Sequence, residues 1–380
     1  MGKHAAPHEH HVPSLPLANR HVSAADVRKM ALAMAALTVF VVAMIASYSG
    51  AFAKPTLHHL DVAVAGPQQL VDGMRAKDNL EVTPVADAAA ARAQVYERKT
   101  DAAAARAQVY ERKTDAAFAV GPTGDLTIYV AGGGGRSVAN ASEAVGRAIA
   151  AKAGLTPSVE DVAPTSAADP QGTVEFYAVI FLSIGATMGA AAFGLMMGSV
   201  RRLSTLALRT VSLAAYSALL AGAVTVYVDG VLGALTTHTW QVFGALWLYA
   251  FGVAGAVTGV AAAFGTVASA LVTLLLIIVG NAAAAGPVGL PMLTGFYRTF
   301  NAIVPQSAGV ALLRSITYFG GNGAWTPILT LATWGAAGLA LAVIAVLAPK
   351  AWTTYRASHD RYRVRAGGTV LRPRVLSSVD

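Results

Sequence analysis

The sequence predicts an α-helical polytopic membrane protein of six spans that carries an inserted extracytoplasmic α/β domain. Two observations carry this expectation. The first is a shortage of charge: 55% of the 380 residues are hydrophobic and only 13% are charged, whereas soluble domains carry about 25% charge. Residues 30–53, 176–200 and 210–228 contain no Asp, Glu, Lys or Arg, 230–297 runs 68 residues without one, and 315–349 another 35. About 20 apolar residues cross a bilayer. The second is a segregation of sign. The stretch 54–173 holds 12 basic and 14 acidic residues, while most of the basic excess sits beside the apolar runs.

Residues 1–29 read as a disordered cytoplasmic tail, in which His4, His8, His10 and His11 form a polar cluster rather than a metal site. The run 30–53 is too long for a signal-peptide core and reads as the first span. The expected later spans are 176–199, 207–228, 241–263, 266–285 and 325–348. They make 174–348 a five-span bundle with a broken or re-entrant segment at 286–324, before a basic cytoplasmic tail, 349–380. Orientation follows from Arg28-Lys29, Arg201-Arg202 and the basic tail, which all face the cytoplasm only if both termini do. The same bias, with anionic headgroups, accounts for the net charge of +8 without nucleic acid. The chain has no cysteine, which removes disulfides and thiolate chemistry.

The loop 54–173 reads as an α/β domain. His59–Ala65 alternates as a half-buried strand does, 67–77 as a helix, and Leu80–Val85 as a second strand. Asp115–Val120 and Leu126–Val130 flank the turn Gly121–Gly124, and Ser137–Ala153 is a helix ending at Gly154. Gly132–Gly135 reads as a flexible strand-to-helix turn, because the third glycine and acidic partner of a dinucleotide motif are missing. The remainder to Gly172, with Pro157, Pro164 and Pro170, reads as a linker. Asp87–Thr100 is repeated without change at Asp101–Thr114. Two copies are too few for a solenoid, so the repeat (87–114) reads as a tandem duplication tolerated in a surface helix.

Gly185/Gly189, Gly194/Gly198 and Gly255/Gly259 put small residues on single helix faces, read as ordinary bundle packing. Glu175 and Asp229 are expected at outer span ends among headgroups, with no ionisable residue mid-span to serve an ion-coupled carrier. In 286–324, Pro287, Pro291 and Pro305 set bends, and a broken helix followed by an interfacial one is expected, with Arg298 and Arg314 at the outer headgroup level. These five residues are the candidate gate. No P-loop, His-Glu-x-x-His or Gly-x-Ser-x-Gly motif occurs, so neither a cofactor nor catalysis is expected.

A leading span, an external α/β loop, five further spans and the element Gly286-Pro287…Pro291…Phe296-Tyr297-Arg298…Phe300…Pro305 resemble the ABC type-2 export permeases, most of all their phage-infection-protein-like branch. The similar stretches are 87–149 and 286–321; the duplication departs from the pattern. The resemblance implies a bacterial plasma-membrane permease, a homodimer or heterodimer in contact with lipid, that works with a separate ABC ATPase. The loop bearing Arg201 and Arg202 is then the candidate ATPase contact. The alternative is a non-transporting multi-pass surface protein, a phage receptor or envelope scaffold, that binds through its external domain.

Overall fold

A computed structural model describes Arg28 and residues 57–84, 105–121, 123–198, 200 and 202–366, with side chains as far as 348. The chain divides into two units, Met1–Ala46 and Ser47–Asp380. The first expected span, the first repeat copy and the histidine tail lie outside the described residues, as does Arg201. What is described is mostly helical, with a small α/β region ahead of the long apolar helices.

The α/β region is one five-stranded sheet, β1 (Leu60–Ala65), β2 (Leu80–Pro84), β3 (Ala116–Val120), β4 (Asp125–Val130) and β5 (Thr156–Asp161), in the order β2-β1-β3-β4-β5. Only β3 and β4 pair antiparallel; the other neighbours are parallel. One face is covered by α1 (Gln68–Arg75) and α3 (Arg136–Ala153), over Leu60, Val62, Val64, Phe118 and Ile128. The other face is built from Ala63, Ala65, Ala117 and Ala119, small enough for helix α2 (105–110) to lie close on it through Ala105 and Val109. With both faces covered, β1 is buried at five of its six positions rather than alternately, as parallel strands are. β5 replaces the expected linker. It is a polar edge strand, the place where Pro157 is tolerated.

Four helices are long and apolar enough to cross a membrane: Val174–Met197, Leu203–Val231, Thr239–Gly280 and Trp325–Ala348. They correspond to α4 (Val174–Met197), α5 (Leu203–Thr225), α6 (Thr239–Leu275) and the first part of α9 (Trp325–Ala366). The third reverses. Gly265 sits at φ 87°, ψ 175°, and Ser269 Oγ donates to Val257 O at 3.1 Å. Residues that far apart in a straight helix would be separated by about 18 Å. The returning limb ends in a π-helical stretch, Leu276–Gly280.

Small residues set the close crossings. Gly252 and Gly259 of α6 face Leu331 and Gly338 of α9, and a Cβ at Gly259 or Gly338 would run into the opposite backbone. Gly189 is held against the Tyr216 ring of α5. These faces are therefore occupied within the chain.

The 286–324 segment is ordered differently from the expectation. α7 (Gly295–Asn301) has no buried residue, whereas α8 (Pro305–Tyr318) is buried along nearly its whole length. The exposed helix thus comes first and the buried one second. The cause is sequence: Gly309 lets α8 lie close on Tyr249 and Val179, where a Cβ would stand only 3.0 Å from either side chain, while Phe296, Arg298 and Thr299 surround α7 with groups that match no core.

The second repeat copy is no free surface helix either, because Ala105 and Val109 are buried against the sheet. Excising 87–100 or 101–114 yields one and the same chain, whose single copy still precedes Asp115. The shortened protein is expected to insert, fold and resist protease as the parent does. A limited-proteolysis comparison in detergent checks this, and loss of resistance would mean the doubled length is itself packed.

Candidate functional site

The α/β region and the bundle meet at one buried cation. Arg314, on α8, donates through Nη1 to Gly134 O (3.2 Å) and Ala285 O (3.1 Å), and through Nη2 to Gly172 O (3.4 Å) and Gly286 O (3.0 Å). It is 5% exposed, enclosed by protein. Each carbonyl is presented by a local irregularity. Gly134 closes a 3₁₀ turn (Gly132–Gly134) whose Gly132 N–H donates to Asp161 Oδ1 at 2.9 Å. Gly172 sits at φ 61° and Ala285 at φ 55°, a left-handed conformation that side chains avoid by roughly 1–2 kcal/mol. Gly286 has the Phe176 ring where a Cβ would stand.

Glu175, in the first turn of α4, is also wholly buried rather than exposed to headgroups. Arg314 and the Tyr318 hydroxyl are its polar neighbours. The start of α4 is capped by Asp169, whose Oδ2 accepts from Thr173 N–H (2.8 Å) and Val174 N–H (2.7 Å). The turn 132–135 is correspondingly tight rather than flexible, since Gly133 lies flat against the Tyr318 ring. Nearby, Ser137 Oγ accepts from Gly289 N–H at 3.0 Å, and Pro291 O accepts from His58 N–H at 3.0 Å.

A second contact comes from the repeat. Arg112 donates to Ala311 O at 3.0 Å and to Ser315 Oγ, and its guanidinium lies 5.0 Å over the Phe319 ring. Burial, with the Arg314 charge nearby, pulls its pKa down to about 10. Beside it opens a polar pocket of about 140 Å³, lined by Asp61, Arg112, Lys113, Thr114 and Asp115 among others. Burial pushes the Asp115 carboxyl up to about 6; the Asp61 N–H and the Arg112 and Arg298 charges pull against that, and the Asp61 charge adds to it. Burial and neighbouring Glu81 likewise raise Asp61.

The candidate gate residues are thus divided. Pro291 and Pro305 are buried and Arg314 holds the junction, while Pro287 and Arg298 are exposed. Of the candidate ATPase contact, Arg202 is exposed directly before α5. Arg209, near the start of the expected span 207–228, is 4% exposed and donates to Ala190 O (3.1 Å) and Gly198 O (3.5 Å). The sequence reading missed Glu175, Arg112, Asp115 and Arg209 as buried groups. For Glu175 and Arg314 the signal was their isolation: each is the lone charge in a long apolar neighbourhood. Among the described residues no cluster of three or more His, Cys, Asp or Glu is placed to hold a metal.

No family model, no curated protein and no solved structure matches the chain.

Removing Arg314 leaves four buried carbonyls without their donor and Glu175 without its neighbouring positive charge, and each unpaired buried polar group costs about 1–3 kcal/mol. Arg314→Met is therefore expected to lower the thermal midpoint sharply. Arg314→Met with Glu175→Gln is expected to recover part of the loss, as a double-mutant cycle by thermal unfolding in detergent would read.

Asp115 gives a pH dependence. Its folded pKa, about 6, lies above the ordinary 3.8, so the folded chain holds that proton more tightly than the unfolded one. Its contribution is most favourable below about pH 4 and declines as pH rises to about 6. Asp115→Asn is expected to remove that decline, seen as a difference from the parent in midpoint against pH between 4 and 7.

Proposed function

We propose that the chain is the membrane subunit of an ATP-driven exporter of the ABC type-2 kind, working with a separate ATPase chain in a bacterial plasma membrane. In this reading it has six spans, with the hairpin at Gly265 supplying two of them. Both termini are cytoplasmic, the α/β domain is outside, and a second permease copy or a related permease completes the transporter.

The observation that carries the reading is the course of α4. Its last residue, Met197, adjoins the loop that leads to exposed Arg202, and its first turn carries Glu175, beside Arg314. One helix of 24 residues, about 36 Å long, thereby ties the candidate ATPase contact to the junction with the outer domain. A push on the loop is transmitted as a rigid displacement, because α4 has neither proline nor break. A simple anchor needs no such strut. An apolar groove of about 180 Å³ between α5, α6 and α9, walled by Leu213, Phe251, Gly255, Leu331 and Leu339, suits lipid-like or amphipathic cargo.

Deleting the loop would also remove buried Leu206 and Arg209, so charge reversal is the cleaner test. An ATPase chain is expected to co-purify with the parent in mild detergent and to be lost from Arg201→Glu/Arg202→Glu, while the thermal midpoint is unchanged. Absence of an ATPase from the parent preparation counts against export, and retention by the variant removes the contact assignment.

A further inference from the structure

Deep in the bundle, away from the junction, three neutral side chains from three helices come together, with the backbone of a fourth polar residue beside them. Ser183 lies on α4, Tyr249 on α6 and Gln306 on α8, and Asn281 directly follows the π-helical stretch; all four are wholly buried. Gln306 Nε2 donates to Leu276 O at 2.9 Å and lies 3.4 Å from Ser183 Oγ. Leu276 O also accepts the Asn281 backbone N–H, so Gln306 and Asn281 converge on one carbonyl. Tyr249 adds its hydroxyl beside Ser183.

Their hydrogen-bonding capacity is not spent. Because Leu276 O requires the NH₂ of Gln306, the amide cannot be flipped, and Oε1 is left as an acceptor with no partner. Asn281 Nδ2 and Asn281 Oδ1 are buried without partners as well, and the Tyr249 hydroxyl has none beyond neighbouring Ser183. Each such group costs about 1–3 kcal/mol if it stays unpaired. The unspent set contains both donors and acceptors and carries no charge. A water molecule makes about three hydrogen bonds to groups of this kind. Two further features belong to the same place. A Cβ at Gly280 would stand 2.6 Å from Gln306 Oε1, so only glycine leaves that oxygen free. The π-helical turn just before Asn281 is of a type that recurs at functional sites.

We propose that Ser183, Tyr249 and Gln306, next to Asn281, form an intramembrane site that holds an ordered water molecule. The site is independent of whether the chain exports anything. It gives the bundle a polar centre at the level where α4, α6 and α8 touch.

X-ray hydroxyl-radical footprinting of the full chain tests it, since radicals formed on a resident water mark the side chains that hold it. Tyr249 is expected to be labelled despite its burial, alongside Tyr177, which is 51% exposed and serves as the internal reference. Gln306→Leu is expected to lower Tyr249 labelling several-fold with Tyr177 unchanged. Labelling confined to Tyr177 in the parent overturns the proposal. Should Gln306→Leu fail to fold, Tyr249→Phe decides: a lower thermal midpoint fits a hydroxyl bonded to water, and an equal or higher one fits an empty site and overturns it. A midpoint that shifts when sodium is exchanged for N-methylglucamine would assign the site to a cation instead.

Discussion

Arg314 is the point on which the junction depends. A guanidinium carried out of water loses several kcal/mol of hydration, and here much of the return comes from backbone carbonyls rather than a bidentate carboxylate. The planar fork explains the residue type: two carbonyls on each terminal nitrogen is a pattern that the three donors of a lysine ammonium cannot reproduce. Carbonyls from three places far apart in the chain, Gly134, Gly172 and the adjacent pair Ala285–Gly286, must be brought to one spot for the cation to be stable. The 3₁₀ turn at Gly132–Gly134, the bend at Gly172 and the strained Ala285 are the local consequences.

Small residues make that convergence possible. An alanine face on the sheet admits α2, glycine at 133 admits the Tyr318 ring, and glycines at 259 and 338 let α6 and α9 touch backbone to backbone. Within a membrane the hydrophobic effect does not press helices together, so packing and hydrogen bonding must do so. The chain uses the same device outside the apolar helices, where it joins a sheet to a bundle.

Much of the fold was legible in the sequence because the bilayer imposes a coarse rule: long charge-free runs mark the apolar helices, and the expected spans 241–263 and 266–285 need a turn between them, which the chain makes at Gly265. Four strands, β1 to β4, and the β3–β4 turn were readable from their alternation and turn residues. β1 was misjudged as half-buried, since its second apolar cover comes from α2, beyond the reach of a local window. β5 was read as linker because Pro157 and its polar residues look unlike a strand, although an edge accepts both. The site was less legible. A charge at the end of an apolar run looks exposed, and only the folded segment 286–321 reveals that Glu175 and Arg314 are covered. Arg209 was misplaced for the same reason, its burial coming from carbonyls of the preceding helix.

α4 serves as a ruler for the polar groups of the bundle. Glu175 beside Arg314 stands at its start, Ser183 with Gln306 about 12 Å further along, and Ala190, whose carbonyl takes Arg209, about 10 Å beyond that. α8 runs antiparallel along the first half of this ruler, since the pairs 175/314 and 183/306 are spaced by eight residues on both helices. The two ionised levels lie toward the ends and the neutral one lies between. That order follows from desolvation: a full charge is tolerated where backbone carbonyls and neighbouring polar groups can be gathered around it, whereas the middle of an apolar bundle accepts only amides and hydroxyls. A displacement of α4 along its axis would therefore strain all three levels at once, which couples the two ends of the bundle more firmly than apolar packing alone would.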